Sequence, residues 1–369
     1  EHKAHDSLTD ATRSAFLKMT GRNTIILLTR DGDIIAIRNG SPLVVGVGKD
    51  EVFFASDTLS FADKTKKAVL VDNNQMVTYT DKKLRLFDAK SGKALELKTV
   101  DLDHSAVNID TEGFDHFMIK EIVEQKDTIR SAVQYSNEEL AELVAAIKAA
   151  ENVYLMGAGT AFYAAMEIAY FLRTYAGINA TELRVYEAGS YKELFGKKDL
   201  VIGISQSGET ADTIEALEFA QAKGAMIASL VNMLGSTVTK MSDYRFFTRS
   251  GPEICVASTK AFTAQVSWGL LLSQALVGQF EKGKKAVSDL SKRLEKYFTD
   301  ARYEEIKELV DVLEPSEHFF VLGKGQNYAI ALEGALKVKE ITYKHFEGFA
   351  AGELKHGVIA LVEEGKPVL

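Results

Sequence analysis

The chain has 369 residues, enough for two or three domains, and its 46% hydrophobic and 26% charged residues are the balance of a globular protein. With 44 Lys and Arg against 52 Asp and Glu, the formal net charge of −8 argues against nucleic acid or an anionic membrane as a partner. The single cysteine, Cys255, excludes an intrachain disulfide and a cysteine-rich zinc site, and it is typical of a reducing compartment.

The first hundred residues are rich in β-strand patterns. An apolar run at 23–29, the turn Asp31-Gly32-Asp33 and a second apolar run at 34–37 predict a β-hairpin. The clearest helical pattern covers residues 10–18. Further short strands are predicted at 43–47, 52–55, 68–72, 76–80 and 84–88. These elements together predict an α+β layer.

Residues 100–113 are polar and show no period, so we expect a linker there. Helical patterning follows over residues 114–131. Asn137 is a good N-cap for a further helix that reaches Ala150.

From residue 153 onward, strands alternate with helices. The predicted strands are 153–156, 182–186, 200–204, 225–231 and 244–247, and the predicted helices are 161–176, a short one near 190, 211–223 and 258–280. This alternation predicts a doubly wound α/β fold, with a parallel sheet and helices on both faces. Residues 200–204 are nearly all apolar, as a central strand buried on both faces should be.

The pattern restarts after a charged helical stretch at 284–313. A strand at 318–322, a glycine loop and a helix at 328–344 repeat the earlier order, and Gly157 and Gly323 end the two equivalent strands. We therefore predict two copies of one α/β module, the second incomplete. The predicted domain boundaries are 1–100, 101–135 for a linker and lead-in helix, 136–283 for the first module, and 284–369 for a connecting helix and the second module.

A polar loop lies where a buried strand meets a helix, and its sequence is Ser205-Gln206-Ser207-Gly208-Glu209-Thr210. Its hydroxyls and backbone N–H groups can converge on an anion at the positive end of the helix. The loop has no lysine, so it is not a nucleotide P-loop, and a phosphate monoester held by neutral donors is the favoured ligand. An ordinary capped helix start is the alternative. Three hydroxyls and an amide at the carboxyl end of a strand favour a phosphosugar site.

Two more loops are candidates for the walls of the same pocket. The loop that ends in Thr160 follows the preceding strand, and its hydroxyl can donate to a ligand. The other loop leads into the helix at 258–280, where Ser258 is a reasonable N-cap whose hydroxyl could be shared with a sugar.

Glu333, Lys337 and Glu340 share one face of the helix at 328–344. A solvated stripe of ion pairs is the usual outcome of such spacing, but small neighbouring residues and the preceding glycine loop favour a pocket. A Glu beside a Lys could then move a proton between adjacent sugar carbons. His356 lies among glycines and charged residues, which indicates a loop, and it is either a structural residue or a titratable group near neutral pH.

At this point the chain resembles a known family, the glutamine–fructose-6-phosphate aminotransferases (isomerizing). Four segments match its signatures in order: GISQSGETADT at 203–213, VASTKAFT at 256–263, LEGALK at 332–337 and AGELKHG at 351–357. The resemblance covers essentially the whole chain and continues upstream through residues 40–44 and 55–57. It implies two doubly wound parallel-sheet sugar isomerase (SIS) domains, preceded by the C-terminal part of an α+β Ntn-type glutamine amidotransferase domain, the glutaminase.

The resemblance also implies a role for each candidate residue. The 6-phosphate of fructose 6-phosphate would be bound by Ser205, Gln206, Ser207 and Thr210, with further contacts to phosphate or sugar from Thr160, Val256 and Ser258. Glu340 would shuttle the proton between C1 and C2, with Glu333 and Lys337 alongside. His356 would assist ring opening in the site of a second subunit, so a homodimer is expected. The implied reaction is glutamine-dependent formation of glucosamine 6-phosphate in the cytoplasm, with no metal or organic cofactor.

Three departures from the family pattern affect these expectations. Residue 1 is Glu, so the family's N-terminal cysteine nucleophile is not in this chain, and its Schiff-base lysine would lie beyond Leu369. We therefore expect the chain as given to be inactive. Ala161 stands where the family usually has a serine in the phosphate pocket, and the lost hydrogen bond should cost roughly 0.5–1.5 kcal/mol of substrate binding.

Two other functions remain open from the sequence. One is a phosphosugar isomerase or deaminase of the same fold that uses no glutamine, although such enzymes usually lack the β-rich region upstream. The other is a phosphosugar-binding regulatory module without chemistry, which would have little reason to keep Glu333, Lys337, Glu340 and His356 together.

Overall fold

A computed structural model describes residues 7–102 and 110–369 of the chain. The chain divides into two compact units, Glu1–Ile109 and Asp110–Leu369, and each is described by itself below. No helix among the described residues is both long and apolar enough to cross a bilayer.

The described part of the first unit contains one α-helix, a 3-10 turn (Leu59–Phe61) and two antiparallel sheets. Its elements are α1 (Leu8–Phe16), β1 (Asn23–Leu28), β2 (Ile34–Asn39), β3 (Val44–Val47), β4 (Val52–Ala55), β5 (Lys67–Leu70), β6 (Gln75–Thr80), β7 (Lys83–Asp88), β8 (Ala94–Leu95) and β9 (Val100–Asp101). One sheet has the strand order β1-β2-β6-β7-β8 and the other β4-β3-β5-β9. The predicted hairpin is confirmed, because β1 and β2 pair antiparallel from Leu28 with Ile34 outward.

Strand β2 of the first sheet is buried on both faces. Ile35 and Ile37 of β2 pack with Phe16 of α1, whereas Ala36 between them packs with Val45 of the second sheet. Side chains alternate across a strand, so one strand supplies both cores. The resulting order of layers is helix, sheet, sheet, which fits the predicted closing part of an Ntn-type domain.

The predicted linker at 100–113 is partly wrong. Val100 and Asp101 form β9, which pairs with Lys67 and Ala68 of β5. The next part of that prediction, residues 103–109, lies outside the described residues.

The second unit contains the predicted alternation of strands and helices. Its elements are α2 (Phe117–Ala132), α3 (Asn137–Ala149), β10 (Asn152–Gly157), α4 (Thr160–Ala176), β11 (Ala180–Arg184), a 3-10 turn (Val185–Tyr191), β12 (Asp199–Ile204), α5 (Ala211–Ala222), β13 (Met226–Val231), α6 (Thr237–Met241), β14 (Tyr244–Phe247), α7 (Lys260–Leu276), α8 (Phe280–Tyr297), α9 (Asp300–Leu313), β15 (His318–Gly323), α10 (Gln326–Thr342) and β16 (His345–Ala350).

Strands β10 to β14 form one parallel sheet in the order β11-β10-β12-β13-β14, which confirms the doubly wound prediction. All six residues of β12, the central strand, are buried. Leu155 and Ile202 face a core with α4 and α7, while Met156 and Val201 face a core with α5. In this strand order the chain reverses direction across the sheet between β10 and β12, so the loops that follow these strands border a crevice where ligands commonly bind.

The second copy of the module is visible in β15, α10 and β16. Gly159 before α4 has φ 53° and ψ −126°, and Gly325 before α10 has φ 59° and ψ −128°. At Gly157 and Gly323, the strand ends, an added Cβ would lie 2.5 and 2.0 Å from backbone atoms of the helix that follows. The same glycine-dependent turn thus occurs twice, which supports the predicted duplication.

Several predicted boundaries need correction. The N-cap of α3 is Ser136 rather than Asn137, because Ser136 forms a capping box with Glu139. The predicted helix at 258–280 ends at Leu276, and the charged stretch at 284–313 is two helices, α8 and α9. Helix α6 was not predicted, since five residues are too few to show a helical period.

Candidate functional site

The loop 205–210 is closed by its own hydrogen bonds. The N–H of Gly208 donates to Ser205 Oγ over 2.9 Å, and the N–H of Glu209 donates to Ser207 Oγ over 3.2 Å. Gly208 has φ +66°, and a Cβ there would lie 2.2 Å from Ser236 Oγ, so only glycine fits. The turn therefore holds its backbone close to Ser236, the residue before α6.

Thr210 is the N-cap residue of α5, yet its side chain makes no capping hydrogen bond. Its Oγ1 lies 3.4 Å from Ser205 Oγ. Glu209 points elsewhere, because its carboxylate accepts hydrogen bonds from the N–H and the hydroxyl of Thr237 at the start of α6, both over 2.8 Å. The N-terminus of α5 is thus left with an uncapped, electropositive first turn.

The loop before α7 is arranged differently from the prediction. Ser258 is not the N-cap, since Thr259 occupies that position and makes no side-chain cap. Glu253 caps the helix instead: its Oε1 accepts from the N–H groups of Thr259 (2.8 Å) and Ala261 (3.2 Å). The Ser258 hydroxyl donates to Glu253 Oε2 over 2.7 Å, so a carboxylate five residues upstream replaces the expected serine cap.

These loops meet around one cavity of about 240 Å³. All seven residues predicted to bind substrate line it, and they come from three separate loops: Thr160, Ser205, Gln206, Ser207, Thr210, Val256 and Ser258. Ala161 also lines the cavity, at the position where the resemblance led us to expect a missing hydroxyl. The cavity lies at the crevice between β10 and β12.

Thr160 connects the cavity to α10. Its Oγ1 donates to Glu333 Oε1 over 3.0 Å and accepts from Lys337 Nζ over 2.9 Å. Lys337 Nζ also donates to Glu340 Oε2 over 2.9 Å and lies 3.6 Å from Glu333 Oε1. The structure thus brings the three predicted acid/base residues together beside the cavity, and the Thr160 hydroxyl hydrogen is directed to Glu333.

Glu333 is buried, and burial raises the pKa of its carboxyl to about 7. The nearby Lys337 ammonium and the Thr160 hydroxyl oppose this rise. Its second oxygen, Oε2, has no hydrogen-bond partner among the described residues. A carboxyl that titrates near neutral pH is suited to proton transfer.

His356 is not brought to the cavity within this chain. It ends a short 3-10 turn, Leu354–His356, and it is exposed. Its side chain makes no hydrogen bond to any residue that the structure describes, so its expected role in a second subunit's site stays a prediction.

Sequence reasoning missed two buried polar residues at the cavity. Thr213 of α5 and Gln265 of α7 line it, each 1% exposed, and neither Thr213 Oγ1 nor Gln265 Oε1 has a partner in the described chain. Cys255 also lines the cavity, and burial raises the pKa of its thiol, which disfavours a thiolate nucleophile. Residues 7–102 and 110–369 contain no cluster of His, Cys, Asp or Glu arranged to hold a metal ion.

The SIS domain family model matches residues 146–275 and 312–369, half of the chain. The chain belongs to the SIS domain family. Both matched stretches contain the modules described above, so the predicted SIS architecture is confirmed.

The SIS chain is also similar to longer proteins. It is 38% identical to the glutamine–fructose-6-phosphate aminotransferase (isomerizing) of Methanothermobacter thermautotrophicus, over 97% of this chain and 60% of that protein. It is 34% identical to the protein of that name from Pyrococcus horikoshii, over 98% of this chain and 61% of that protein. The chain therefore spans about three fifths of these relatives' length, and the resemblance seen in the sequence is confirmed.

A solved structure gives the same picture for the second unit. The C-terminal domain of glucosamine-fructose-6-phosphate aminotransferase from Francisella tularensis aligns with a TM-score of 0.59 at 29% identity. The alignment covers 71% of this SIS chain and 77% of that domain.

Proposed function

We propose that this chain carries the sugar-phosphate site of a glutamine–fructose-6-phosphate aminotransferase, which converts fructose 6-phosphate and glutamine to glucosamine 6-phosphate. The observation that carries the proposal is the cavity itself. Seven residues from three loops converge on it, and a hydrogen-bonded acid/base group on α10 borders it. The relatives with 34–38% identity bear the name of that activity.

The phosphate would bind at the start of α5. Gln206, Ser207 and Thr210 surround the uncapped first turn of this helix, whose N–H groups and dipole favour a dianion. Among the residues that the structure describes, no lysine or arginine lines the cavity. Neutral donors and a helix terminus would therefore supply the binding energy, and Ser205 would hold the turn in shape through its bond to Gly208.

The sugar would extend from the phosphate toward α10. Glu340 accepts a hydrogen bond from Lys337, so its carboxylate is oriented and can take a proton from C1 or C2 of the open-chain sugar. Glu333 would hold the Thr160 hydroxyl, and through it the loop before α4. Thr160 could still offer its backbone N–H to the ligand, since the first N–H groups of a helix lack intrahelical acceptors.

The remaining parts of the proposal concern the whole protein. We propose that glutamine supplies the nitrogen, that the protein is a cytoplasmic homodimer, and that His356 of one subunit completes the site of the other. Its exposed position is compatible with such a contact. These points rest on the similarity to the named relatives.

A glutamine-independent isomerase or deaminase is disfavoured because the similarity to the aminotransferases extends through the first unit. A binding module without chemistry is disfavoured by the group of Glu333, Lys337 and Glu340, whose buried members would otherwise reduce stability without benefit.

Calorimetric titration with fructose 6-phosphate, glucosamine 6-phosphate and unphosphorylated fructose tests the site. We expect binding of the two phosphosugars only, weakened about tenfold or more by Ser207→Ala. Ser190→Ala is the matched control, because Ser190 is exposed and lies outside the cavity. Equal affinity of wild type and Ser207→Ala, or equal binding of fructose, would contradict the proposal.

A further inference from the structure

One wall of the cavity has no regular secondary structure. Residues 251–258 lie between β14 and α7, and four of them, Glu253, Cys255, Val256 and Ser258, line the cavity. The side chain of Val256 is fully exposed. A segment without ladder or helix bonds depends on side chains to accept its backbone N–H groups.

Glu121 of α2 supplies such an acceptor from far away in the sequence. Its Oε1 accepts from the N–H of Ile254 over 2.6 Å and from the N–H of Cys255 over 3.3 Å. Glu121 is only 2% exposed, and its Oε2 has no partner among the described residues. A buried carboxyl is costly, so its retention at this place calls for an explanation beyond stability.

A second contact joins the same two elements. Lys260, the first residue of α7, is buried, and its Nζ lies 2.6 Å from Glu124 Oε2 on α2. Glu124 also lies 3.6 Å from Lys120 Nζ, which in turn donates to the carbonyl of Asp110 and lies 3.2 Å from Glu112. One turn of α2 therefore holds the middle of the wall segment, at residues 254 and 255, and the start of α7 that follows it.

We propose that Glu121 is a positioning residue of the sugar site: α2, through its Glu121 carboxylate, sets the distance between the 254–258 wall and the bound sugar. This inference rests on the proposed function. Glu121 does not line the cavity, so it acts through the two N–H groups that it orients.

The proposal predicts a selective defect. The phosphate loop is held by its own bonds, from Gly208 N–H to Ser205 and from Glu209 N–H to Ser207, and none of these involves α2. Loss of Glu121 should therefore weaken contacts to the sugar and leave the phosphate contacts unchanged. A general loss of stability would weaken both.

The experiment compares wild type, Glu121→Ala, Glu121→Gln and Ile129→Val in the full-length protein. Fructose 6-phosphate affinity is measured by calorimetry and inorganic phosphate affinity by 31P NMR titration. Glutamine keeps an oxygen acceptor of the same reach, so it should restore function. Ile129 is a buried residue of the same helix with no cavity contact, which makes Ile129→Val a control for destabilisation of α2.

We expect Glu121→Ala to weaken fructose 6-phosphate about tenfold and phosphate less than about twofold, with Glu121→Gln within about threefold of wild type and Ile129→Val unchanged. Hydrogen exchange at the amides of residues 254 and 255 should be faster in Glu121→Ala alone. Unchanged sugar affinity in Glu121→Ala overturns the inference, as does an equal loss for sugar phosphate and phosphate. A wild type that binds no sugar phosphate overturns the proposed function as well.

Discussion

Helices α4 and α10 begin at equivalent glycines, have 17 residues each, and end at a left-handed residue, but their side chains differ where chemistry is concerned. Counted from the first residue of each helix, the equivalent pairs are Thr160 and Gln326, Glu167 and Glu333, Phe171 and Lys337, Thr174 and Glu340, and Gly177 and Tyr343. The first copy thus offers a hydroxyl at its start, and the second offers charged groups along its length.

The two helices run in opposite directions where they meet. The start of α4 contacts the middle of α10, through Thr160 and Glu333, while the Tyr175 hydroxyl near the end of α4 lies 3.5 Å from Gln326 Oε1 at the start of α10. This arrangement lets one copy supply the ligand loop and the other the acid/base face. In the proposed site, the two copies of the module therefore contribute different residues to one cavity and its border.

The largest expected effect is on turnover, and it comes from Glu340 of α10, whose counterpart in α4 is the uncharged Thr174. Glu340→Gln should lower turnover of the full-length enzyme by roughly 10²–10⁴, because a positioned base contributes about that much, while fructose 6-phosphate affinity stays within about twofold. Thr174→Val, at the equivalent exposed position of α4, is the control and should change neither. Steady-state kinetics and calorimetry measure the two quantities, and normal turnover in Glu340→Gln would remove Glu340 from the mechanism.

Glu167 and Glu333 occupy equivalent positions, and we expect substitution of Glu167 to change stability and substitution of Glu333 to change turnover. Burial alone raises the pKa of the Glu167 carboxyl to about 7, against 4.5 when unfolded, so the folded state holds a proton that the unfolded state has released between these pH values. Stability should therefore fall as pH rises from about 4.5 to 7 and stay lower above it. Glu167→Gln, which mimics the neutral acid, should gain up to about 3 kcal/mol above pH 7 and nothing below pH 4.

Denaturant unfolding at several pH values measures this gain, and sugar affinity should not change in Glu167→Gln. Glu333→Gln should instead alter turnover, since Glu333 bonds to Thr160. A loss of sugar binding in Glu167→Gln would show that both copies contribute a carboxyl to the site.

Gly208→Ala tests the loop 205–210 of the first module. The described part of the second module has no equivalent of this loop. The added Cβ would meet Ser236 Oγ at 2.2 Å in a left-handed conformation, so the turn must shift away from Ser236, the N-cap of α6. We expect fructose 6-phosphate affinity to fall about tenfold or more. Gly189→Ala, where a Cβ meets nothing within 4 Å, should bind normally. Calorimetry that finds the two variants alike would argue against this loop as the phosphate site.

The smallest expected effect concerns the helix ends. Tyr343 has φ +59° and is 92% exposed, whereas its counterpart Gly177 has φ +66°. Tyr343→Gly should stabilise the protein by roughly 1 kcal/mol, and Gly177→Ala should destabilise it by a similar amount, because only glycine adopts this conformation without strain. Thermal unfolding measures both. A destabilised Tyr343→Gly would indicate that the tyrosine side chain has contacts in the intact protein.

The fold was largely predictable because hydrophobic period and turn chemistry are local properties. Runs such as residues 200–204 and the glycines at 157 and 323 identify the modules from short windows. The strand order could not be predicted from the sequence, and neither could the hydrogen bonds from the N–H groups of Ile254 and Cys255 to Glu121. Both depend on contacts between positions far apart in the chain.

For the site, motif positions predicted which residues line the cavity but not how they are bonded. Serine is a common N-cap residue, which is why Ser258 was predicted to cap α7. The charged carboxylate of Glu253 is a stronger acceptor, and it accepts the hydrogen bonds from the first N–H groups instead. Thr213 ends the signature segment 203–213 but was assigned no role, and Gln265 gave no signal because its neighbours follow an ordinary helical pattern.

The Thr160 hydroxyl has one hydrogen, and it donates that hydrogen in a hydrogen bond to Glu333. Lys337 donates to the same oxygen, so the Thr160 side chain is bonded twice to α10, although Thr160 is the first residue of α4. A ligand that moves this backbone lengthens the bond to Glu333 and alters the environment of Lys337. Under the proposed function, binding of the sugar phosphate and the arrangement of Glu333 and Lys337 are therefore coupled through Thr160.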